Sequence, residues 1–280
     1  MKVLLTGASG FIGKHVFNHL DKHKYDVTCV SRKSPVSPIW MQFDILDSEA
    51  TLNAIQEVKP DFLIHLAWDV EHGVFWNNLN NEKYMQATIN LFKAFISQGG
   101  KKIIAAGSCA EYNTSSVAVA EDVVVNKKEL SHYGKAKREV YEWLESNVDT
   151  FSWLRIFGIY GNGENERRLI PYLVKSLKNN TSINIRDKNF YTDYIYVEDF
   201  AKLVSCLLTN RSEGCLNIGT GVPISNLKIY ETLCKYFDYQ VPEAYEVPEP
   251  SLKSRIPNCE KLINFGYDFQ LKRRFSEVLK

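Results

Sequence analysis

The sequence predicts an α/β fold, a doubly wound parallel sheet with a smaller carboxyl-terminal lobe. Three observations carry that expectation. Short β-branched runs alternate with segments of helical spacing through the first half of the chain. A glycine-rich turn stands between the first run and the first helical segment, and after residue 160 the alternation gives way to turns and a Pro/Glu-rich stretch. Alternating strand and helix signals require crossover connections, which make neighbouring strands parallel and cover both faces of the sheet.

Taken in order, Val3 to Thr6, Val27 to Val30, Phe62 to Leu66, Ile103 to Ala106 and Phe151 to Ile156 read as buried strands. Between them Phe11 to Leu20, Glu49 to Glu57, Tyr84 to Ser97 and Ser131 to Asn147 have the length and apolar spacing of helices. Right-handed crossovers bring the strand carboxyl ends to one edge, so ligands are expected at the turns after Thr6, Val30, Leu66, Ala106 and Ile156. Further on, Gly161-Asn162-Gly163 marks a turn, Ile170 to Leu177 a helix, and Pro242 to Pro250 an irregular stretch. These signals assign residues 1–165, with 190–220 returning to them, to the sheet domain, and residues 166–189 and 221–280 to the smaller lobe.

With 280 residues, 45% of them hydrophobic, the chain can bury a sizeable core. Its 34 basic and 33 acidic residues balance to +1, which excludes an overall basic field for nucleic acid or an anionic membrane. Any anion must be gripped locally. The six cysteines form no Cys-x-x-Cys pair, so neither a zinc cage nor a disulfide framework is expected, and reduced thiols suit a cytoplasmic protein. The first apolar run is cut short by Gly7 and Gly10, unlike a signal peptide, and no run reaches membrane-spanning length.

The turn Thr6-Gly7-Ala8-Ser9-Gly10-Phe11-Ile12-Gly13 has the composition of a dinucleotide cradle. Its glycines permit a tight turn, close backbone approach to a pyrophosphate and close helix packing, while the helix start supplies free N–H groups. Gly7, Ser9, Gly10, Phe11, Ile12 and Gly13 are therefore candidate cofactor residues, although a structural turn shows the same pattern. After the second strand the chain reads Ser31-Arg32-Lys33, a hydroxyl and two cations where an acidic residue would otherwise bind a ribose. That composition suits a 2′-phosphate and favours NADP(H), with NAD(H) possible; a solvated basic turn is the alternative. Asp44-Ile45 is expected beside the adenine and Leu66-Ala67 beside the middle of the cofactor.

Tyr133 and Lys137 lie four apart on one helical segment and share a face. A phenol needs a nearby cation to exchange protons near neutral pH, and Lys137 can supply it. A Tyr-x-x-x-Lys spacing alone is common in amphipathic helices. Ser108, just after the strand Ile103 to Ala106, adds a hydroxyl on the same edge, where it can hydrogen-bond the oxygen that Tyr133 protonates.

With these residues the chain resembles the extended short-chain dehydrogenase/reductases, the NAD-dependent epimerase/dehydratase family, in its nucleotide-sugar modifying branch. The resemblance is carried by Thr6 to Gly13, His65-Leu66-Ala67, Ser108 four before Tyr112, and Tyr133 with Lys137. It continues through Leu154-Arg155-Ile156-Phe157-Gly158-Ile159-Tyr160-Gly161, Asp193-Tyr194-Ile195-Tyr196-Val197-Glu198-Asp199 and Asn217-Ile218-Gly219-Thr220-Gly221. It implies a Rossmann domain with a substrate-binding lobe and a catalytic Ser108, Tyr133 and Lys137. It also implies cofactor contacts at Tyr133, Lys137, Phe157 and Ile159, a nucleotide-diphosphate sugar as substrate, and a homodimer. Departures from the family shape the expected reaction. Cys109 and Ala110 follow Ser108 where dehydratases carry acidic residues, so dehydration is disfavoured, and the Ser31-Arg32-Lys33 turn favours net reduction over epimerisation.

The expected activity is therefore NADPH-dependent reduction of a 4-keto-6-deoxy nucleotide sugar with Tyr133 as general acid. A nucleotide-sugar epimerase is the alternative, and a non-catalytic NADP(H)-binding regulator is the alternative of another class. Thr192 replaces an arginine that contacts the diphosphate in the family, leaving Arg186 or Arg255 to compensate; a surface ion pair is the structural alternative for Arg255. Trp68 is a candidate to stack on base or sugar, as is Trp76. Cys109 is a candidate substrate contact, with small-residue packing as its plainer role. His15, His19 and His23 fall at successive helical turns without a carboxylate or cysteine partner, so no metal site is expected.

Overall fold

The computed structural model describes residues 1–23, 25–32, 40–113, 118–185, 187–210, 214–240 and 253–267. The chain divides into two compact units. Met1–Asn113, Val125–Arg155 and Glu198–Leu216 form the first; Thr114–Val124, Ile156–Val197 and Asn217–Lys280 form the second.

The first unit is built on alternating strands and helices: β1 (Lys2–Thr6), α1 (Phe11–Lys22), β2 (Asp26–Ser31), β3 (Trp40–Gln42), α2 (Ser48–Val58), β4 (Phe62–His65), α3 (Asn80–Ser97), β5 (Lys102–Ser108), α4 (His132–Asn147) and β6 (Phe151–Ile156). The sheet has seven strands in the order β10-β6-β5-β4-β1-β2-β3, where β10 spans Gly214–Ile218. β1 pairs in parallel with β2 on one side and β4 on the other. Chain order therefore reverses beside β1, and Thr6 and His65 sit side by side at the carboxyl ends that flank the switch point.

Apolar side chains explain the layering. Leu4, Leu63, Ile103 and Trp153 from the strands meet Ile55 from α2, Leu91, Phe92 and Phe95 from α3, and Val140 and Leu144 from α4 in one core. Each such side chain contributes roughly 1.5–3 kcal/mol by leaving water. Helix starts are capped where the sequence supplies the cap: Asp47 accepts from Glu49 and Ala50, and Ser131 accepts from Gly134. Helix α6 (Val197–Thr209) ends where the buried Lys102 ammonium donates to the Leu207 and Asn210 carbonyls at 2.8 and 2.9 Å. A cation there complements the negative helix end.

The doubly wound parallel sheet is as expected; most element ends differ by one or two residues, and two differences bear on the site. Strand β5 runs on through Ser108, so this residue ends the strand instead of following it. Helix α3 starts at Asn80, four residues before the expected Tyr84, because the buried Asn81 side chain donates to the Phe75 and Asn78 carbonyls and holds the entry turn. Elements β3, α6 and β10 lie beyond those the alternating pattern predicted.

Among the described residues the second unit holds two small sheets and three helices: β7 (Gly158–Tyr160), α5 (Leu169–Lys178), β8 (Tyr191–Thr192), β9 (Tyr194–Tyr196), β11 (Ile224–Ser225), α7 (Asn226–Tyr236) and α8 (Glu260–Asn264). β7 pairs in parallel with β9, and β8 is antiparallel to β11. Buried Asp193 ties this unit together, accepting from the Thr220 backbone and hydroxyl and from the Gly221 backbone, each at 2.7 Å. Among the described residues no helix is long and apolar enough to cross a membrane.

Candidate active site

The glycine turn has the geometry of a phosphate cradle. Gly7 adopts φ +74°, a conformation open to glycine, and a Cβ there would lie 2.7 Å from the Ala67 backbone nitrogen. At Gly13 a Cβ would fall 2.0 Å from the Gly7 carbonyl oxygen, so α1 can lie against the turn only without a side chain. Gly10, the N-cap of α1, supplies no side-chain cap. The first N–H groups and positive dipole end of α1 suit a pyrophosphate. The residues present fit a dinucleotide.

Ser31, the last residue of β2, is buried, and Arg32 follows it exposed. Lys33 lies outside the described residues. Asp44 accepts from the Leu46 backbone at 3.0 Å, Ile45 is buried, and Leu66 and Ala67 follow β4 half-buried, with Leu66 N donating to Thr6 O. The first unit thus carries the glycine cradle, Arg32, and the residues expected beside adenine and ribose.

At the switch point His65 bridges Thr6 and Thr88, with Nδ1 2.8 Å and Nε2 3.1 Å from the two hydroxyls. Burial lowers its pKa to about 3, so the ring is neutral and acts as a hydrogen-bonding strut. In the sequence His65 stands only within the family motif His65-Leu66-Ala67. Its partners are 59 and 23 residues away, and no local pattern announces them.

Ser108, Tyr133 and Lys137 all belong to the first unit and are 9%, 7% and 3% exposed. Ser108 Oγ accepts from Ala110 N at 3.1 Å, which orients the hydroxyl. Lys137 Nζ donates to Ala106 O at 2.8 Å, tying α4 to the end of β5. Its ammonium also lies 3.8 Å from the centroid of the Trp68 ring, a cation–π contact. Burial brings the Lys137 pKa down to about 7, opposed by the Glu111 carboxylate. Gly134, between Tyr133 and Lys137, makes the approach possible: a Cβ there would lie 2.0 Å from the Ala110 carbonyl oxygen. The helix carrying Tyr133 and Lys137 is thereby pressed onto the turn that carries Ser108.

Aromatic rings surround Tyr133. Phe75 meets it edge-on with centroids 4.8 Å apart, Trp76 at 5.9 Å and Trp68 at 6.2 Å. Trp68 is oriented by its indole N–H, which donates to Asn81 Oδ1 at 2.8 Å. The predicted Trp68 therefore belongs with the Tyr133 site, while Phe75 and Asn81 went unrecognised because neither carries a reactive group. Such a wall shields the Tyr133 ring, and its apolar surface suits the carbon face of a sugar ring.

Behind Ser108 stands a buried ion pair that no motif revealed. Glu111 accepts from Ser108 N at 2.7 Å, from the Trp153 indole at 3.0 Å and from Arg155 Nε at 2.8 Å, with both charged side chains fully buried. Arg155 also donates to Tyr112 Oη at 2.6 Å. A local signal was available, since Ser108-x-x-Glu111 has capping-box spacing and the turn forms that box. The arginine is 44 residues from the glutamate. Cys109 lies buried in the same turn.

In the second unit Phe157 and Ile159 are buried, with Phe157 N donating to Ile218 O at 3.3 Å. Arg255 N donates to Tyr191 O, and its guanidinium lies 5.9 Å from the Phe190 ring centroid. Arg186 lies outside the described residues.

Residues 3–219 match the model of the NAD dependent epimerase/dehydratase family. The GDP-L-colitose synthase of Yersinia pseudotuberculosis is 23% identical, over 95% of this chain and 92% of its own length. The dTDP-4-dehydro-6-deoxyglucose reductase of Escherichia coli is 28% identical, over 82% and 80%. In fold the chain is similar to the UDP-glucose 4-epimerase of Thermotoga maritima, solved with UDP-glucose, with TM-score 0.85, 22% identity, and 100% and 96% of the two chains covered.

Proposed function

The chain belongs to the NAD dependent epimerase/dehydratase family and is an NAD(P)-dependent enzyme, and on that premise we propose that it reduces a 4-keto-6-deoxy nucleotide-diphosphate sugar with NADPH. The observation that carries the reading is the close packing of Gly134, next to Tyr133, on the Ala110 carbonyl of the turn that Ser108 caps, with Lys137 Nζ bonded to Ala106 O. Two relatives, a GDP-L-colitose synthase and a dTDP-4-dehydro-6-deoxyglucose reductase, support a deoxysugar substrate. The state of Glu111 supports reduction over dehydration: its carboxylate is spent on Ser108 N, Trp153 and Arg155 inside the protein.

When bound, the dinucleotide supplies the hydride that reaches the carbonyl carbon. Gly7, Gly10 and Gly13 would hold its pyrophosphate at the start of α1, and Arg32 with Ser31 would favour a 2′-phosphate on its adenosine ribose. Ser108 donates a hydrogen bond to the sugar carbonyl oxygen and orients it. Tyr133 transfers its phenolic proton to that oxygen as the carbon is reduced, giving an alcohol. The Lys137 ammonium stabilises the phenolate left behind, and Ala106 O with the Trp68 face holds the ammonium in place. Arg255 of the second unit is the proposed diphosphate contact, and cofactor contacts at Phe157 and Ile159 are carried over from the family.

The test is NADPH consumption with GDP-, dTDP- and CDP-linked 4-keto-6-deoxy sugars. Parent protein is expected to turn over one of them, and Tyr133→Phe to lose about 10²- to 10⁴-fold in kcat with cofactor affinity retained. Inversion of a sugar with no net NADPH oxidation would establish the epimerase instead, and cofactor binding without any turnover a regulator. A parent that prefers NAD(H), with the preference unmoved in Arg32→Ala, removes the NADP(H) assignment.

A further inference from the structure

One carboxylate in the first unit is placed to act on two of the three candidate catalytic residues. Glu111 Oε1 accepts the Ser108 backbone N–H at 2.7 Å, and the Trp153 indole and Arg155 guanidinium hold the same carboxylate from β6. There is no slack around it. At Gly107 a Cβ would lie 2.7 Å from Glu111 Oε1 and 2.4 Å from Trp153 Nε1. The backbone from Gly107 to Ser108 therefore rests directly on the carboxylate and the indole. The Trp153 ring lies 5.7 Å from Lys137 Nζ, so the residue that anchors Glu111 also lines the lysine's chamber.

We propose that Glu111 is a positioning residue through which a single buried carboxylate governs both Ser108 and Lys137. The proposal rests on reading Ser108, Tyr133 and Lys137 as the catalytic group. Its mechanical part follows from the hydrogen bonds, which set where the Ser108 hydroxyl stands. Its electrostatic part follows from the surroundings of Lys137. The ammonium is bonded to Ala106 O of β5 and faces the rings of Trp68 and Trp153. The titratable groups around it are neutral His65 from β4, Tyr133 one turn earlier on α4, and Glu111, whose own partner is Arg155 of β6. Burial favours the neutral amine, and Glu111 supplies the opposing negative field.

Two variants separate this role from plain structural support. In Glu111→Gln one amide oxygen replaces the carboxylate, and the amide N–H₂ faces the donors Trp153 and Arg155. In the paired variant Glu111→Gln/Arg155→Met neither member of the ion pair remains, so no unpaired charge is left in the interior. Lysine side-chain NMR, with the Lys137 resonance assigned from Lys137→Met, reads the titration without any substrate. It therefore stands even if the proposed reaction is not the one catalysed. In Glu111→Gln the Lys137 titration is expected to move to lower pH by about one unit or more, the size of shift a nearby opposite charge produces, and in the paired variant to move the same way by less, because the Arg155 charge leaves with the carboxylate. Where a turnover assay exists, kcat should fall with KM changed little, and the alkaline limb of the pH profile should move down with the lysine. If Glu111→Gln fails to fold, the paired variant decides. An unmoved Lys137 titration in a folded variant overturns the proposal, as does a paired variant that regains both the parental melting temperature and the parental kcat.

Discussion

Replacing Gly134 by alanine is the sharpest test of how this site is assembled. The added Cβ would lie 2.0 Å from the Ala110 carbonyl oxygen and 2.9 Å from its carbon, both backbone atoms that cannot rotate away. Since real Cβ contacts essentially never fall below 3.0 Å, α4 and the Cys109–Glu111 turn must part by about 1 Å. Two energies then oppose each other. Alanine gains about 1 kcal/mol of helix propensity over glycine, whereas overpacking costs about 1–3 kcal/mol, so stability should fall by no more than about 2 kcal/mol. Activity is far more exposed, because Tyr133 and Lys137 move with α4 while Ser108 stays with the turn. A 1 Å misplacement costs on the order of 10²-fold in rate. Thermal melting and steady-state turnover of the nucleotide sugar used by the parent measure both quantities. A Gly134→Ala protein that melts higher than the parent and keeps turnover within about twofold would show that this packing does not set the distance between Ser108 and Tyr133.

Gly13→Ala places a Cβ 2.0 Å from Gly7 O and should abolish measurable dinucleotide binding in calorimetry while costing about 1–3 kcal/mol in stability. Lys137→Met should do the reverse of most active-site substitutions, removing activity but raising the melting temperature at pH 7. The Lys137 pKa falls from 10.5 unfolded to about 7 folded, so the unfolded chain binds more protons between those values and stability rises with pH across that window. That slope should flatten in the variant, and a parental slope would refute the assignment. Glu164 gives the opposite sign. Burial raises it from 4.5 to about 7 despite Arg168 Nε at 3.0 Å, so its favourable contribution is complete below pH 4.5 and lost as pH rises through about 7. Glu164→Gln is therefore expected to raise the melting temperature at pH 8 and change it little at pH 5, and equal shifts at both would sink this reading.

Much of the fold and part of the site were legible in the chain because their causes are local. Strand and helix follow from spacing over a few residues, as in Leu4 to Thr6 or Val140 to Leu144. Gly7, Gly10 and Gly13 mark a turn, and Tyr133 and Lys137 fall on one face through helix geometry alone. Arg32, Lys33 and Arg255 were legible only as charges. Their spacing does not say what they face, because a charge's partner is set by which segments fold against it.

The tertiary structure decided the contacts that join distant segments. The chain dictates that Ser108 ends a buried run and that Glu111 follows at capping distance. That Arg155 arrives 44 residues later to neutralise the carboxylate depends on β6 lying beside β5 in the sheet. Likewise His65 reads as an ordinary strand residue until β4 pairs with β1 and brings Thr6 to its ring, where desolvation holds it neutral. Trp68 meets the Lys137 ammonium only because α4 packs closely enough, through Gly134, to bring the helix in. Backbone preference and side-chain period act over a few residues and are written in order along the chain. Desolvation and charge pairing depend on which surfaces close on one another, and folding alone settles that.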